Sequence, residues 1–147
     1  MPLACTRRSL LLASAGLGAA LVLPQARACE FFCTTLRVTH PWTRATKAGQ
    51  TTAVVSMKID EVLRTDRLIA VETPVAGGAV LAGGDGVDSD SFALVLPAGA
   101  DTEIGESGPV LKLVGLKVPL EIGRTYDLRL TFEHGGVINA DLSVDYE

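Results

Sequence analysis

Residues 126–146 read YDLRLTFEHGGVINADLSVDY and contain two runs in which apolar and polar residues alternate. The first run covers 126–132 and the second covers 138–146. Successive side chains of a β-strand point to opposite faces, so a period of two predicts two half-buried strands. The segment HGG at 134–136 is typical of a short hairpin turn. The end of the chain is therefore predicted to be an antiparallel hairpin.

Upstream of this hairpin, several apolar segments of strand length are separated by glycine- and proline-containing breaks. Short strands at such spacing, in a chain with only 5% aromatic residues, predict an antiparallel sandwich or barrel. The predicted strands are 52–59, 67–72, 92–96 and 110–113. The predicted breaks are 77–78, 83–84, 97–99, 108–109 and 122–123.

The composition fits a single globular domain. The chain has 147 residues, of which 48% are hydrophobic and 20% charged, so it can bury a core. Its formal net charge is −4 and its Lys and Arg residues form no block, which excludes a nucleic-acid footprint. No Gly-x-Ser-x-Gly or His-Glu-x-x-His motif occurs, so we predict that the protein is not an enzyme.

The first 28 residues have the pattern of an export signal. Arg7 and Arg8 precede an apolar run at 10–23, and the segment ends in Ala-Arg-Ala at 26–28. The apolar run is shorter than the roughly 20 residues that span a membrane. We therefore expect cleavage after residue 28, no membrane span in the mature chain and a periplasmic location.

The string TRRSLL at 6–11 resembles a twin-arginine signal, and a Sec signal with two arginines is the alternative. Cys29 would be the first mature residue, which raises the further alternative of a lipoprotein. Ala26 stands where a lipoprotein signal has an aliphatic residue, so the sequence disfavours lipidation.

Four strings of the mature chain occur in a recognisable order: HPWTRAT at 40–46, DRL at 66–68, GLKVPLEIG at 115–123 and LTFEHGG at 130–136. Together they resemble the periplasmic copper chaperone family called PCu(A)C, over about Leu36 to Tyr146. The resemblance implies a cupredoxin-like β-sandwich. We accordingly predict an all-β fold with a signal peptide at 1–28, a Cys-x3-Cys segment at 29–35 and one domain at 36–147.

The resemblance also implies a ligand set of two histidines and two methionines, which suits Cu(I) because thioethers and imidazoles are soft ligands. Alignment with the family places Ala82 at the first histidine, and Val110 and Lys112 at the His-x-Met pair. Residues 83–91 contain no Met, and Met57 is expected in the core. We therefore expect the usual copper site of the family to be lost.

Cys29 and Cys33 form a Cys-x3-Cys pair with His40 nearby in sequence. In an oxidising compartment a local disulfide between Cys29 and Cys33 is the favoured interpretation. The alternatives are free thiols in a frayed terminus, or a relocated soft-metal site for Cu(I) made of Cys29, Cys33 and His40. A surface or capping role is the simpler interpretation of His40.

Two other polar features have plain interpretations. His134 is expected to be a solvated turn residue. The segment DGVDSD at 85–90 clusters oxygen ligands but does not fit an EF-hand loop, so we expect a solvated acidic loop.

The function implied by the resemblance is copper handling or delivery for cytochrome oxidase assembly, with another copper chaperone or an oxidase subunit as partner. The alternative is a metal-independent periplasmic binding or assembly module on the same scaffold.

Overall fold

The computed structural model describes residues 29–88 and 90–147, so the predicted signal peptide at 1–28 lies outside the described residues. The described chain is all-β, and no helix in it is long and apolar enough to cross a membrane. Its strands are β1 Glu30–Phe32, β2 Arg37–Arg44, β3 Thr52–Asp60, β4 Asp66–Glu72, β5 Ala76–Ala82, β6 Val87–Asp88, β7 Ala93–Leu96, β8 Thr102–Ile104, β9 Val110–Leu116, β10 Thr125–Phe132 and β11 Gly136–Tyr146.

The strands form one sheet that folds over into a sandwich, in the order β5-β9-β3-β2-β11-β10-β4-β7-β6. Strand β1 adds to the first half of β2, and β8 adds to the second half of β3. All pairings are antiparallel except β2 with β11, which run parallel and join the two layers. This arrangement confirms the predicted sandwich class.

The core lies between the two layers and is built from the apolar positions of the alternating strands. In the C-terminal hairpin, Leu128 pairs with Ala140 and Leu130 with Ile138, and all four are buried. Burying one such leucine contributes about 1.5–3 kcal/mol. Met57 is only 4% exposed and belongs to this core, as expected.

The structure confirms the hairpin and the four upstream strands, with small shifts at their ends. It corrects one predicted break: Gly77 and Gly78 lie inside β5. There Gly78 pairs with Val114, and the backbone of Gly115 approaches Gly77 closely. Pairing with β9 therefore overrides the local preference of glycine for turns.

A buried carboxylate connects the turn of the C-terminal hairpin to Thr35, in the segment between β1 and β2. Asp66 is 1% exposed and accepts hydrogen bonds from the Thr35 hydroxyl at 2.7 Å and from the backbone N–H groups of Arg67, His134 and Gly135, each at 2.8 Å. We call Asp66, Thr35, His134 and Gly135 the Asp66 junction. The junction explains structurally why Asp stands first in the DRL string.

Candidate functional site

The three positions that the resemblance assigns to copper lie together on the outer face of the sheet. Ala82 and Val110 are direct partners across β5 and β9, and Lys112 follows Val110 by two residues. Side chains at such positions share one face, with those directly opposite about 5 Å apart. The intervening Leu81 and Leu111 are buried in the core, so Ala82, Val110 and Lys112 face outward.

None of these three side chains can hold Cu(I). Ala82 and Val110 offer only hydrocarbon, and the Lys112 ammonium has three donors and no lone pair. Within the described residues Lys112 forms no ion pair, so its charge is not neutralised by a neighbouring carboxylate. A free cation at this place repels a metal ion.

A cavity of about 300 Å³ lies beside Lys112 on the outer face of β2, β3 and β9, and its lining includes Trp42, Arg44 and Glu106. Trp42 meets Tyr146 edge to face, with ring centroids 4.9 Å apart. The Arg44 guanidinium lies 6.0 Å from the Trp42 ring and 5.7 Å from the Tyr146 ring. Cation–π contacts thus hold Arg44 at the rim of the cavity.

The predicted disulfide is not formed, since Cys29 and Cys33 are both free thiols. Cys29 accepts a backbone hydrogen bond from His40 at one end of β1, and Cys33 donates one to Leu36 at the other. An extended chain of four steps spans about 13 Å between Cα atoms, whereas a disulfide bridges about 4.4–6.8 Å. Strand β1 therefore keeps the two cysteines apart.

The same separation divides the predicted three-ligand site. Cys29 and His40 line one cavity of about 120 Å³. The Cys33 sulfur instead lies 3.4 Å from the Thr35 hydroxyl, next to the Asp66 junction. Among residues 29–88 and 90–147, no three His, Cys, Asp or Glu side chains are grouped to hold a metal ion. The structure thus brings together Cys29 and His40 and leaves Cys33 out.

His40 lies in an irregular part of β2. The register between β2 and β3 shifts between Thr39 and Trp42, and His40 has a φ of 48°. Such a bulge changes the direction of a side chain, and a left-handed backbone is uncommon for residues other than glycine. The His40 Nε2 atom lies 2.7 Å from Asp145 Oδ2 on β11.

The remaining polar predictions have simple outcomes. His134 lies in the turn before β11, where its Nδ1 atom is 3.1 Å from an Arg64 nitrogen. The predicted acidic loop at 85–90 is partly a strand, because Val87 and Asp88 form β6. Asp88 is exposed at the end of β6 and accepts hydrogen bonds from Asp90 and Ser91. Sequence reasoning missed Asp145, whose only signal was an ordinary polar position in an alternating strand.

Comparison with known proteins agrees with this architecture. The family model described as "Putative lipoprotein LpqE-like" matches residues 36–144. No curated protein matches the chain.

Solved structures share the fold. The copper-bound PCuAC domain from PmoF2 is 24% identical with a TM-score of 0.71, covering 80% of this chain and 98% of that domain. The apo PCuAC domain from PmoF1 is 29% identical with a TM-score of 0.67, covering 80% of this chain and 99% of that domain. The solution structure of CuI-DR1885 from Deinococcus radiodurans is 21% identical with a TM-score of 0.63, and the match covers 74% of this chain and 76% of that one.

These matches confirm the expected cupredoxin-like sandwich. The chain belongs to the LpqE-like family and has the fold of the PCuAC domains.

Proposed function

We propose that this protein is an exported, copper-chaperone-like protein that does not hold its metal at Ala82, Val110 and Lys112. Its family and its fold support the copper-chaperone-like part, because two of the similar structures are of copper-bound or CuI forms. The signal-like residues 1–28 support export to the periplasm.

The observation that carries the proposal is the outer face where β5 meets β9. The fold places three side chains on one face of two adjacent strands, yet they supply two hydrocarbon groups and a free ammonium. Copper(I) needs soft sulfur or imidazole ligands, and the described residues offer none at these positions. Any copper that the protein carries is therefore bound elsewhere.

Delivery to a protein partner completes the proposed role. As the resemblance implies, the partner is another copper chaperone or a subunit of cytochrome oxidase. Such a role requires a scaffold that presents a bound ion at its surface, and it needs no catalytic step.

Competition between the protein and a strong Cu(I) chelator tests the proposal. We expect Lys112→Ala to leave Cu(I) affinity unchanged, because Lys112 is not a ligand. The triple variant Ala82→His, Val110→His, Lys112→Met should gain at least a tenfold higher affinity, because it places two imidazoles and a thioether on one face.

The matched control replaces Ala82, Val110 and Lys112 by leucine, which changes the same positions without adding a ligand atom. It should show no gain. The proposal would be wrong if the wild-type protein bound Cu(I) and either Lys112→Ala or the leucine variant did not. Copper would then be held at this face.

A second candidate function, a metal-independent binding module, is favoured by the cavity beside Lys112. An aromatic wall from Trp42 and the Lys112 ammonium suit a partner segment that carries a carboxylate, whereas Arg44 already pairs with Glu106 of the same lining at 3.7 Å. Under this alternative, a purified oxidase subunit binds equally well with and without Cu(I), and Trp42→Ala or Lys112→Glu weakens binding at least tenfold. Binding that requires Cu(I) would contradict it.

A further inference from the structure

We infer that Cys29 and His40 form a two-coordinate site for a soft monovalent cation, Cu(I) in the cell. The inference deepens the proposed function and rests on it only for the identity of the cargo. Under this inference the metal is held by Cys29 and His40 and not at Ala82, Val110 and Lys112.

The first argument is placement. Glu30 pairs with Thr39 across β1 and β2, so Cys29 and His40 form the next cross-strand pair. The His40 N–H donates to the Cys29 carbonyl at 2.7 Å, which fixes the two backbones side by side. Both residues line the same cavity of about 120 Å³ at the protein surface, which is where the proposed ion would lie.

The second argument is the orientation of the imidazole. His40 Nε2 lies 2.7 Å from Asp145 Oδ2, so Nε2 is the ring nitrogen that donates to that carboxylate. Nδ1 is then the nitrogen left to bind the metal. Histidines that bind metals commonly donate their other ring nitrogen to a carboxylate, which fixes the ring and raises its basicity. Asp145 is thus a positioning residue.

The third argument is the backbone of His40. A φ of 48° lies in the left-handed region, which is unfavourable for a residue with a Cβ. The bulge departs from the strand alternation that would otherwise set the direction of this side chain. Local strain of this kind is concentrated at functional sites.

The ligand set selects the ion. A thiolate and an imidazole are soft or intermediate ligands that suit Cu(I). Zn²⁺ usually takes four ligands, and the described residues provide no group of three. On binding, the Cys29 thiol loses its proton to solvent as the sulfur–metal bond forms, with no change in oxidation state. Because Cys29 is exposed, the ion stays open to a third ligand from a receiving protein.

The test is anaerobic titration of the reduced protein with Cu(I) against a strong chelator, with Ag(I) as a redox-stable probe followed by native mass spectrometry. We expect one ion per chain, together with a thiolate-to-metal absorption band. Cys29→Ser and His40→Asn should each weaken binding at least tenfold. Asparagine is chosen because it tolerates a left-handed backbone.

Cys33→Ser is the matched control and should bind as the wild type does, because Cys33 lies at the other end of β1. Asp145→Asn should lower affinity about 10–100-fold while keeping the absorption band, as expected of a positioning residue. Thermal unfolding of each variant without metal shows that the fold is intact.

The outcomes separate the two proposals. Wild-type binding that survives Cys29→Ser overturns this site and leaves the proposed copper-handling function in place. Loss in Cys33→Ser equal to that in Cys29→Ser also overturns it, because both sulfurs would then be ligands. If the wild type binds neither ion, the site is wrong, and the copper part of the proposed function is wrong with it. An intact mass showing lipidated Cys29 overturns the site alone.

Discussion

The Asp66 junction and the Cys29–His40 site both connect residues 29–40 to distant strands through polar contacts. They differ in burial, in the number of hydrogen bonds and in backbone conformation. Asp66 is 1% exposed and both of its carboxylate oxygens are fully used by four hydrogen bonds. The His40 side chain is 44% exposed, has one partner in Asp145 and has a strained backbone. A satisfied, buried polar group stabilises a fold, whereas an exposed group with a free lone pair is available for chemistry.

The largest effect on stability is expected for Asp66→Ala. The change leaves three backbone N–H groups and the Thr35 hydroxyl without their acceptor in a buried place, and should cost about 3–5 kcal/mol. Urea unfolding measures the loss. The matched control is Asp88→Ala, which removes a carboxylate that also accepts local hydrogen bonds but is exposed at the end of β6. That control should cost less than about 1 kcal/mol. Equal losses of stability in the two variants would contradict the stabilising role of the Asp66 junction.

The next largest loss of stability is expected for Gly135→Ala. A Cβ at Gly135 would overlap the Thr35 hydroxyl and lie 2.6 Å from the Cys33 sulfur, so atoms of the junction must move. Overpacking of this kind costs about 1–3 kcal/mol. Gly78→Ala provides the control, because its Cβ would meet only a Val114 methyl at 3.7 Å. We expect thermal unfolding to detect a drop for Gly135→Ala alone, and a similar drop for Gly78→Ala would contradict the steric explanation.

Acid should weaken the Asp66 junction, because its central group is a carboxylate that titrates. Burial acts to raise the pKa of Asp66, but hydrogen bonds from Thr35, His134, Arg67 and Gly135 outweigh it and lower the pKa below its ordinary value. A lowered folded-state pKa gives stability that is present above the unfolded-state pKa and lost as pH falls through the folded-state pKa. The free energy of unfolding should therefore decrease below about pH 4.

Urea unfolding across pH checks this expectation. Asp66→Asn removes the titrating group and should give a shallower decrease than the wild type. Asp60 keeps its own contribution in both proteins, because hydrogen bonds from Arg37 lower its pKa against the opposing effect of burial. An unchanged slope in Asp66→Asn would show that other carboxylates control acid unfolding.

The smallest effect on stability is expected at the Cys29–His40 site. Cys29→Ser and His40→Asn should change the free energy of unfolding by less than about 1 kcal/mol, because Cys29 is exposed and the half-exposed contact between His40 and Asp145 contributes little. The same two variants should lose Cu(I) binding, whereas Asp66→Asn should keep it wherever it remains folded. A large loss of stability in His40→Asn would place His40 with Asp66 as a structural residue.

Sequence patterns predicted the hairpin and four further strands because each half-buried strand shows its alternation locally. They did not predict β2, whose RVTHPWTR sequence contains a proline and shows no clear alternation. They also missed β5, since its AGGAVLA sequence has turn-like glycines and becomes a strand only by pairing with β9. The short strands β1, β6 and β8 contain at most three residues, too few to show a period. Residue type alone named Cys29, Cys33 and His40 as candidate ligands, and the structure places Cys29 beside His40 and Cys33 at the other end of β1.

The all-β class and the lack of soft ligands at positions 82, 110 and 112 follow from the amino-acid sequence, because hydrophobic alternation and residue chemistry are local properties. Which side chains meet depends on the fold. The separation of Cys33 from Cys29 depends on β1 being extended, and the partnership of His40 with Asp145 depends on the parallel pairing of β2 with β11. Contacts between residues more than a hundred positions apart are fixed by strand order and register, which no short stretch of sequence encodes.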